Sequence, residues 1–257
     1  MDFESLIKSV PIKPYYKDES TAIYCSDNRQ VLPLFPDKSF DLVLTDPPYN
    51  IGFDKYDVYT DDLEDIDYIN MLAQFKGWNS IIMQYPEEMM RFVVPALGIP
   101  DEVMAWFYAT DMPNRNFRLV NFYGILPDYS KVRQPYRWAN DKRTRQLIVN
   151  GSAGAKHYDW IGDIPIVRNI SPEKTEHPCP IPQLLVSRLI QLATEADTLI
   201  LDPFLGSGTT AVAAKILGRK CVGIEISEKY CEIAAKRLSQ SVMQLEIPKE
   251  EVKQGKF

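Results

Sequence analysis

Short apolar runs of strand length recur along the chain, and stretches with helical spacing of apolar residues lie between them. The runs fall at 22–26, 40–44, 81–85, 103–108, 199–201 and 220–225. Runs that stay apolar without alternation are typical of strands covered on both faces of a sheet. The pattern therefore predicts an α/β protein with buried strands, and 257 residues suffice for one large domain with an insertion.

Helices are predicted where apolar residues recur every three or four positions: at 65–75, 87–97, 178–194, 209–217 and 228–238, with a short turn or helix at 28–36. Proline and glycine are expected to end the second helix, at Pro95, Gly98 and Pro100. The inner side of the third helix is predicted to carry Leu184, Leu185, Leu189 and Leu192. Periodicity is poor from 111 to 169, and the polar tail from 239 to 257 is expected to be flexible.

The strand predicted at 40–44 runs into Asp46, Pro47, Pro48 and Tyr49. Two prolines cannot continue a strand ladder, so the chain must leave the sheet there in a stiff corner. Such a corner suits a planar amine, because Asp46 and the Pro47 carbonyl can accept its two protons while Tyr49 stacks on its ring. The alternative is an ordinary strand that ends in a proline turn.

A second strand, near the carboxyl terminus, runs into Asp202 and a Gly-Ser-Gly turn that opens a helix at Thr209. Glycines at 206 and 208 allow a ligand to approach the backbone closely, and the free amides at a helix start favour an anion. A phosphate-binding P-loop is excluded, because no lysine follows the second glycine. About twenty residues later the next strand ends in Glu225, an acid placed to take both hydroxyls of a ribose.

These motifs, in this order, resemble the β-class S-adenosylmethionine-dependent DNA amino-methyltransferases, which methylate adenine N6 or cytosine N4. The resemblance rests on DPPY at 46–49, DPFLGSGTT at 202–210 and GIEIS at 223–227, with the catalytic motif before the cofactor motif. The segment 176–193 is similar to the family's His-Pro-x-x-x-Pro segment. It departs from the family at Pro180 and Ile181, where Gln or Glu and Lys are usual, which puts the grip on the amino-acid end of the cofactor in doubt.

The resemblance implies a single methyltransferase domain over 1–257, with a doubly wound, mostly parallel, Rossmann-like sheet and circularly permuted motif order. The unit 198–238 would form the first half of the sheet, with the strand at 22–26 next to it. The DPPY strand would lie on the other side of the switch point, where ligands bind in such sheets. The segment 111–170 is then expected to be a small target-recognition insertion.

The resemblance also implies the site. Catalysis would rest on Asp46, Pro47, Pro48 and Tyr49, by direct methyl transfer to the amine of a base flipped out of duplex DNA. S-adenosylmethionine would contact Asp27, Asp46, His177, Asp202, Phe204, Gly206, Ser207, Gly208, Thr209, Glu225 and Ile226. Asp27 can equally be a turn acid at a strand end.

Aspartate at the head of the motif favours adenine N6 by analogy with the family, although the corner accepts either amine. The alternatives are a cytosine N4 enzyme, an RNA adenine methyltransferase and a non-catalytic nucleic-acid-binding subunit with the same fold. Intact motif residues argue against the last of these, and Ile181 argues weakly for it.

The net charge of −6 is unusual for a protein that binds double-stranded DNA, but its distribution matters more. Residues 129–145 carry a net charge of +5, with Tyr129, Tyr136 and Trp138 between the basic side chains. Phosphate contact and base stacking need this combination. The candidate nucleic-acid-binding residues are Lys131, Arg133, Arg137, Lys142, Arg143 and Arg145. The alternative is a solvated charged surface.

The remaining sequence features concern location and minor sites. No apolar run is long enough to span a membrane, the charged first residues do not resemble a signal peptide, and four scattered cysteines without a C-x-x-C pair fit a cytoplasmic protein without a metal site. His157 is expected at the surface. The acidic loop at 54–67 is expected to be a mobile flap, and a homodimer that shares the DNA contact is possible.

Overall fold

The structure, a computed structural model, describes residues 2–59, 61–108, 115–136 and 138–240. The strands are β1 Tyr16–Lys17, β2 Thr21–Cys25, β3 Leu42–Thr45, β4 Ser80–Gln84, β5 Glu102–Phe107, β6 Phe117–Tyr123, β7 Arg133–Gln134, β8 Ala155–Lys156, β9 Trp160–Ile161, β10 Leu199–Asp202 and β11 Lys220–Glu225. The α-helices are α1 Phe3–Ser9, α2 Asn28–Val31, α3 Asp65–Ala73, α4 Pro86–Glu88, α5 Val94–Leu97, α6 Lys142–Val149, α7 Gln183–Ala193, α8 Thr209–Ile216 and α9 Glu228–Gln240.

Nine of these strands form one sheet in the order β1-β2-β11-β10-β3-β4-β6-β5-β9. The central pairs from β2 through β4 are parallel, whereas β1 and β6 run antiparallel to their neighbours. The predicted doubly wound α/β fold is confirmed, with β2 beside β11 and the DPPY strand β3 beside the cofactor strand β10. The carboxyl ends of β3, β10 and β11 therefore meet at one edge of the sheet.

Strand residues alternate between two apolar layers, because successive side chains point to opposite faces. On one face Leu42 and Leu44 of β3 join the cluster that contains the inner residues of α7 and α8. On the other face Val43 packs with the apolar residues of α1 and with Leu201. Helices cover both faces of β3, which explains why this strand reads as an uninterrupted apolar run.

The segment predicted as an insertion, 111–170, contributes two strands to the sheet. Strand β6 pairs antiparallel with β4 and with β5 along its length, and β9 pairs with β5 at the edge. The sequence did not indicate β6, because its first three residues are only partly buried and its last four are all buried, without alternation. The two-stranded ribbon β7–β8 and the helix α6 make up the remaining elements of this segment that the structure describes.

Helix α7 differs from its prediction at its start and in its buried face. It begins at Gln183, after Pro182, because a run of alternate prolines keeps the preceding backbone extended. Leu184 is 43% exposed, so its predicted inner position is wrong. The buried face instead carries Leu185, Val186, Leu189, Ile190 and Leu192, which share one side at helical spacing.

The helix predicted at 87–97 is confirmed as a nearly continuous helical segment, with a π-helical turn at Met89–Val93 between α4 and α5. Pro95 does not end it. Its missing N–H removes one regular hydrogen bond, which is a common setting for a π-turn. Gly98 ends the helix, with a φ of 98° that is costly for other residues.

Candidate active site and cofactor pocket

Three acidic side chains from distant parts of the chain meet at the carboxyl edge of the sheet. Asp46 follows β3, while Asp202 and Glu225 end β10 and β11. The Thr45 hydroxyl donates a hydrogen bond of 2.8 Å to Asp202 Oδ1 and so joins the DPPY strand to the cofactor strand. The tertiary structure thus brings together the two motifs on which the site was predicted.

The DPPY corner is fixed by side chains from two other elements. The Tyr49 hydroxyl donates to Asp46 Oδ1, and the Tyr68 hydroxyl of α3 donates to the Pro48 carbonyl. Gln84 Nε2 of β4 donates to the Tyr68 oxygen at 3.0 Å. Tyr68 and Gln84 were not predicted as site residues, because no motif marks them.

Arg118 is a further side chain of this corner that the sequence did not reveal. Its Nη1 lies 3.2 Å from Asp46 Oδ2, and the two side chains are only 13% and 12% exposed. Four rings surround its guanidinium, with centroids 5.3–5.9 Å from Cζ: Tyr49, Tyr85, Trp106 and Tyr108. Because β6 is antiparallel, its first residues reach the edge where the parallel strands end.

Burial dominates the electrostatics of Asp46. Loss of water raises the pKa of its carboxyl, and Arg118 and the Tyr49 hydroxyl oppose that rise. The same burial raises the pKa of the Tyr49 hydroxyl well above its ordinary value, so this tyrosine is a neutral hydrogen-bond donor. Tyr49 packs edge-on against Tyr85 at 4.9 Å, and its stacking on a target base stays a prediction.

A pocket beside this corner is lined by most of the residues predicted to bind the cofactor. They are Asp27, Asp46, His177, Asp202, Phe204, Gly206, Ser207, Thr209, Glu225 and Ile226. Gly208 does not line the pocket. It stands at the start of α8 with φ of 83°, and a Cβ there would lie 2.6 Å from the Ala234 Cβ of α9. Its role is close packing of α8 against α9.

The Gly-Ser-Gly turn and Glu225 form one unit. The Gly206 N–H donates to Glu225 Oε2 and the Ser227 N–H donates to Oε1, both at 2.8 Å. Gly206 has φ of 53°, and a Cβ there would lie 3.0 Å from Nε2 of His177. The turn therefore requires glycine for its conformation and for its contact with the histidine ring.

Burial raises the pKa of Glu225 to about 7, although the backbone N–H groups of Ser227, Gly206 and Ile226 favour its charged form. Burial also raises the pKa of Asp202 to about 6 against its bonds from Thr210 and Thr45. Burial lowers the pKa of His177 to about 4, so its ring is neutral at physiological pH. Its Nδ1 accepts a hydrogen bond from the Cys179 N–H. All three shifts have the same cause, because burial disfavours the charged form of each group.

Asp27 is a turn acid at the start of α2, as one of its two predicted roles requires, and its contact with the cofactor stays a prediction. Its carboxylate caps α2 by accepting from the Arg29 N–H at 2.9 Å, and it pairs with the Arg29 guanidinium. The side-chain bond from Arg29 lowers the pKa of Asp27. The same residue lines the pocket.

The acidic loop predicted as a flap lies packed against the pocket. Tyr56 and Tyr59 stack with ring centroids 4.5 Å apart, and both line the pocket. Asp57 Oδ2 accepts from the Ser227 hydroxyl at 2.7 Å. Asp61 is buried and accepts from the N–H groups of Asn50 and Ile51, so two of the acids serve as hydrogen-bond acceptors that hold the loop.

The pocket fits the expected cofactor. Glu225 presents a carboxylate where a ribose can bind, and the rings of Tyr56 and Tyr59 suit the positive charge of a sulfonium group. The predicted departures Pro180 and Ile181 also line the pocket, next to His177 and Cys179. Apolar side chains are thus accommodated where the family usually has polar ones.

The structure separates the predicted nucleic-acid-binding residues into different surroundings. Lys142, Arg143 and Arg145 lie on α6, of which no residue is buried, and Arg133 is exposed on β7. Lys131 instead pairs with Glu195 at 2.6 Å. Arg137 lies outside the described residues.

The prediction that His157 lies at the surface is wrong. It is 3% exposed, its Nδ1 contacts the Tyr158 carbonyl, and its ring lies beside the Arg188–Asp163 ion pair. A histidine that hydrogen-bonds at both nitrogens can be buried, which sequence alone did not indicate.

Comparison with known proteins agrees with the family that the motifs predict. The family described as DNA methylase matches residues 63–236, a range that begins after the DPPY corner. The type II methyltransferase M.ScaI of Streptomyces caespitosus is 30% identical, over 93% of this chain and 88% of its own. The DNA adenine methyltransferase YhdJ of Escherichia coli (strain K12) is 26% identical, over 87% and 84%.

Two solved structures share the fold. The PvuII DNA methyltransferase (cytosine-N4-specific) has a TM-score of 0.64 at 19% identity, over 94% of this chain and 93% of that one. The M1.HpyAVI complex with S-adenosylmethionine has a TM-score of 0.57 at 20% identity, over 85% and 98%.

The chain belongs to the N6/N4 family of DNA methylases. This membership confirms the resemblance of its motifs and S-adenosylmethionine as the methyl donor. Within the described ranges, no helix is long and apolar enough to cross a membrane, and no group of three potential metal ligands occurs.

Proposed function

We propose that this protein transfers a methyl group from S-adenosylmethionine to N6 of an adenine that is flipped out of double-stranded DNA. The observation that carries the proposal is the buried Asp46 carboxylate at a proline corner, joined through Thr45 to the cofactor strand. Pocket and corner share Asp46, so a bound cofactor and a target amine can meet there.

The amine of adenine or cytosine attacks poorly, because its lone pair is delocalised into the ring. Asp46 and the Pro47 carbonyl accept hydrogen bonds from its two N–H groups and so direct the lone pair toward the methyl group. As the bond from nitrogen to the methyl carbon forms, the bond from that carbon to sulfur breaks, and the surplus N–H proton passes to the Asp46 carboxylate and on to solvent. When bound, S-adenosylmethionine supplies that methyl on a positively charged sulfur. The protein contributes position and electrostatics, and no covalent intermediate is needed.

The Pro48 carbonyl accepts a hydrogen bond from Tyr68, which occupies one of its two acceptor positions. This bond fixes the plane of the following peptide and directs Tyr49 back toward Asp46. The corner is therefore rigid before the base arrives, which favours catalysis by preorganisation.

Adenine is favoured over cytosine by the aspartate at position 46, as in the family resemblance, and by relatives named as adenine enzymes such as YhdJ. Cytosine is the alternative target, because the PvuII DNA methyltransferase, which shares the fold, is named as cytosine-N4-specific. Nothing in the corner itself prefers one amine to the other.

The exposed basic residues of α6 and Arg133 support contact with the phosphates of DNA. Helix α6 carries three positive charges and buries no side chain, so its surface is available to a partner of opposite charge. Trp138 beside it is 69% exposed. A homodimer that shares the DNA contact and a cytoplasmic location stay predictions.

The test is a methyl-transfer assay with labelled S-adenosylmethionine on mixed-sequence duplex DNA, followed by nucleoside analysis. We expect label in N6-methyladenine. Label in N4-methylcytosine would contradict the proposed base and keep the reaction.

The same assay on RNA of matched sequence distinguishes a DNA enzyme from an RNA enzyme. A calorimetric titration with S-adenosylmethionine distinguishes an enzyme from a non-catalytic subunit that binds no cofactor. Cofactor binding without transfer to DNA or RNA, and no cofactor binding at all, would each overturn the proposal.

A further inference from the structure

A buried cation beside the acceptor carboxylate is the feature of this site that no sequence motif marks. Arg118 reaches Asp46 from β6, 72 residues away, and its guanidinium is enclosed by the rings of Tyr49, Tyr85, Trp106 and Tyr108. Aromatic faces stabilise a weakly hydrated, delocalised cation in a dry site. The site therefore keeps Arg118 charged where water is scarce.

We propose that Arg118 is a positioning residue for the reaction: its guanidinium holds the buried Asp46 side chain as a carboxylate and fixes its orientation toward the target amine. This role rests on the proposed amine chemistry of Asp46. The first step of the argument is that one proton decides what Asp46 can do. A protonated carboxyl carries a donor and loses acceptor positions. It therefore cannot serve as the hydrogen-bond acceptor that the N–H group of the target amine requires.

The second step concerns the groups that face Asp46. Tyr49 donates to one oxygen from the same turn, and Arg118 donates to the other from β6. In the described part of the chain, the other titratable groups that interact with Asp46 are acidic or neutral: Asp202 of β10, Cys179 of the segment before α7, Tyr68 of α3 and Tyr56 of the loop. A charged Asp202 disfavours a negative charge at Asp46, the neutral groups do not compensate that charge, and Arg118 favours it.

The third step concerns the loss of the cation. A buried charge whose partner is removed stays uncompensated, and the group neutralises instead. Burial already raises the pKa of Asp46, and without Arg118 only the hydrogen bond from the neutral Tyr49 hydroxyl would oppose that rise. Asp46 would then take up a proton within the working pH range.

Arg115 provides a matched control. Its guanidinium lies 5.0 Å from the Tyr85 centroid, close to the same cage, but it pairs with Glu88 at 3.7 Å. A general effect of removing an arginine from this region would appear in both variants. An effect transmitted through Asp46 would appear only at position 118.

The experiment measures kcat/KM for methyl transfer to DNA against pH for wild type, Arg118→Met, Arg118→Lys and Arg115→Met. This ratio reports the ionisation of groups in the free enzyme. We expect the acid limb of Arg118→Met to lie at least one pH unit higher than that of wild type. Arg118→Lys should return most of the shift, and Arg115→Met should show none. A uniform loss of activity with an unmoved limb would overturn the proposal.

A second measurement does not depend on activity. ¹³C NMR titration of the side-chain carboxyl carbons, with the Asp46 signal identified by its absence in Asp46→Asn, gives the Asp46 midpoint directly. We expect a midpoint at least one unit higher in Arg118→Met, and an unchanged midpoint would overturn the proposal. If the wild type methylates no nucleic acid, the proposed function fails while this titration still decides the role of Arg118. If Arg118→Met does not fold, Arg118→Gln removes the charge and keeps a polar side chain.

Discussion

The cofactor pocket and the amine corner are adjacent, but they are built in different ways. In the pocket the decisive contacts join residues that are close in sequence, since Glu225 accepts hydrogen bonds from the N–H groups of Gly206 and Ser227. In the corner Asp46 depends on Arg118, which comes from a distant antiparallel strand. Local contacts leave a motif in the sequence, whereas contacts between distant elements do not. Variants that affect one region and not the other test this division.

The largest effect is expected from Asp46→Asn. Loss of the acceptor charge should reduce the rate of methyl transfer by about 10²–10³-fold or more. Affinity for S-adenosylmethionine should change by only a few-fold, because the pocket keeps its other lining residues. Label transfer to DNA and calorimetric cofactor titration measure the two quantities. Asp65→Asn, a surface change on α3, serves as control. Equal loss of both functions would indicate misfolding and contradict the division.

Gly208→Ala should disrupt the cofactor region through packing. The new Cβ would meet Ala234 at 2.6 Å, and the residue would keep a positive φ. Gly218→Ala is the matched control, because Gly218 also has positive φ but nothing lies within 4 Å of its Cβ position.

We expect Gly218→Ala to cost about 1–2 kcal/mol of unfolding free energy, and Gly208→Ala to cost about 1–3 kcal/mol more. Denaturant unfolding measures both. Equal costs would show that α8 and α9 adjust freely.

Glu225→Gln tests the pH dependence of the pocket. The folded pKa of about 7 exceeds the ordinary value, so the stability that the neutral form contributes is present below about pH 4.5 and is lost as pH rises through 7. Cofactor hydroxyls favour the charged form, so affinity for S-adenosylmethionine should rise about tenfold from pH 6 to 8. Calorimetry should find this slope absent in Glu225→Gln. A persisting slope would assign the proton to another group, such as Asp202.

The smallest effects are expected on α6, outside both regions. Lys142→Ala, Arg143→Ala and Arg145→Ala should each weaken DNA binding and reduce its salt slope by about one, without altering cofactor affinity. Lys131→Ala is the control, because Lys131 pairs with Glu195. Binding isotherms at several salt concentrations measure the slopes. An equal change in Lys131→Ala would mean that DNA also covers the carboxyl end of α7.

Much of the fold was predictable from the sequence, because the central strands are covered on both faces and read as apolar runs. The neighbours of β10 and β11 were placed correctly from motif order. Strand β6 was missed, since a partly buried strand between antiparallel neighbours has no clear period. Arg118 was missed with it. A charged residue at the head of an apolar run, FRLVNFY at 117–123, is the signal that could have marked it.

Predictions of where a side chain lies were less accurate than predictions of strands when they rested only on the type of residue. His157 was expected at the surface and is buried beside Arg188 and Asp163, because its two ring nitrogens find partners there. The acidic loop at 54–67 was expected to be a mobile flap. Asp57 and Asp61 instead accept hydrogen bonds that hold the loop to the pocket.

The sequence by itself determined the class of protein and, through the family resemblance, the strand order around the switch point, and it predicted that Asp46, Glu225 and the glycine turn stand at strand ends. Those features follow from residues that act within one strand–turn–helix unit, where spacing fixes geometry. Only the tertiary structure decided that Arg118 pairs with Asp46 and that aromatic rings surround the Arg118 guanidinium. That arrangement requires β3, β5 and β6 to meet at one edge of the sheet, and burial there converts an ordinary ion pair into one that can control a proton.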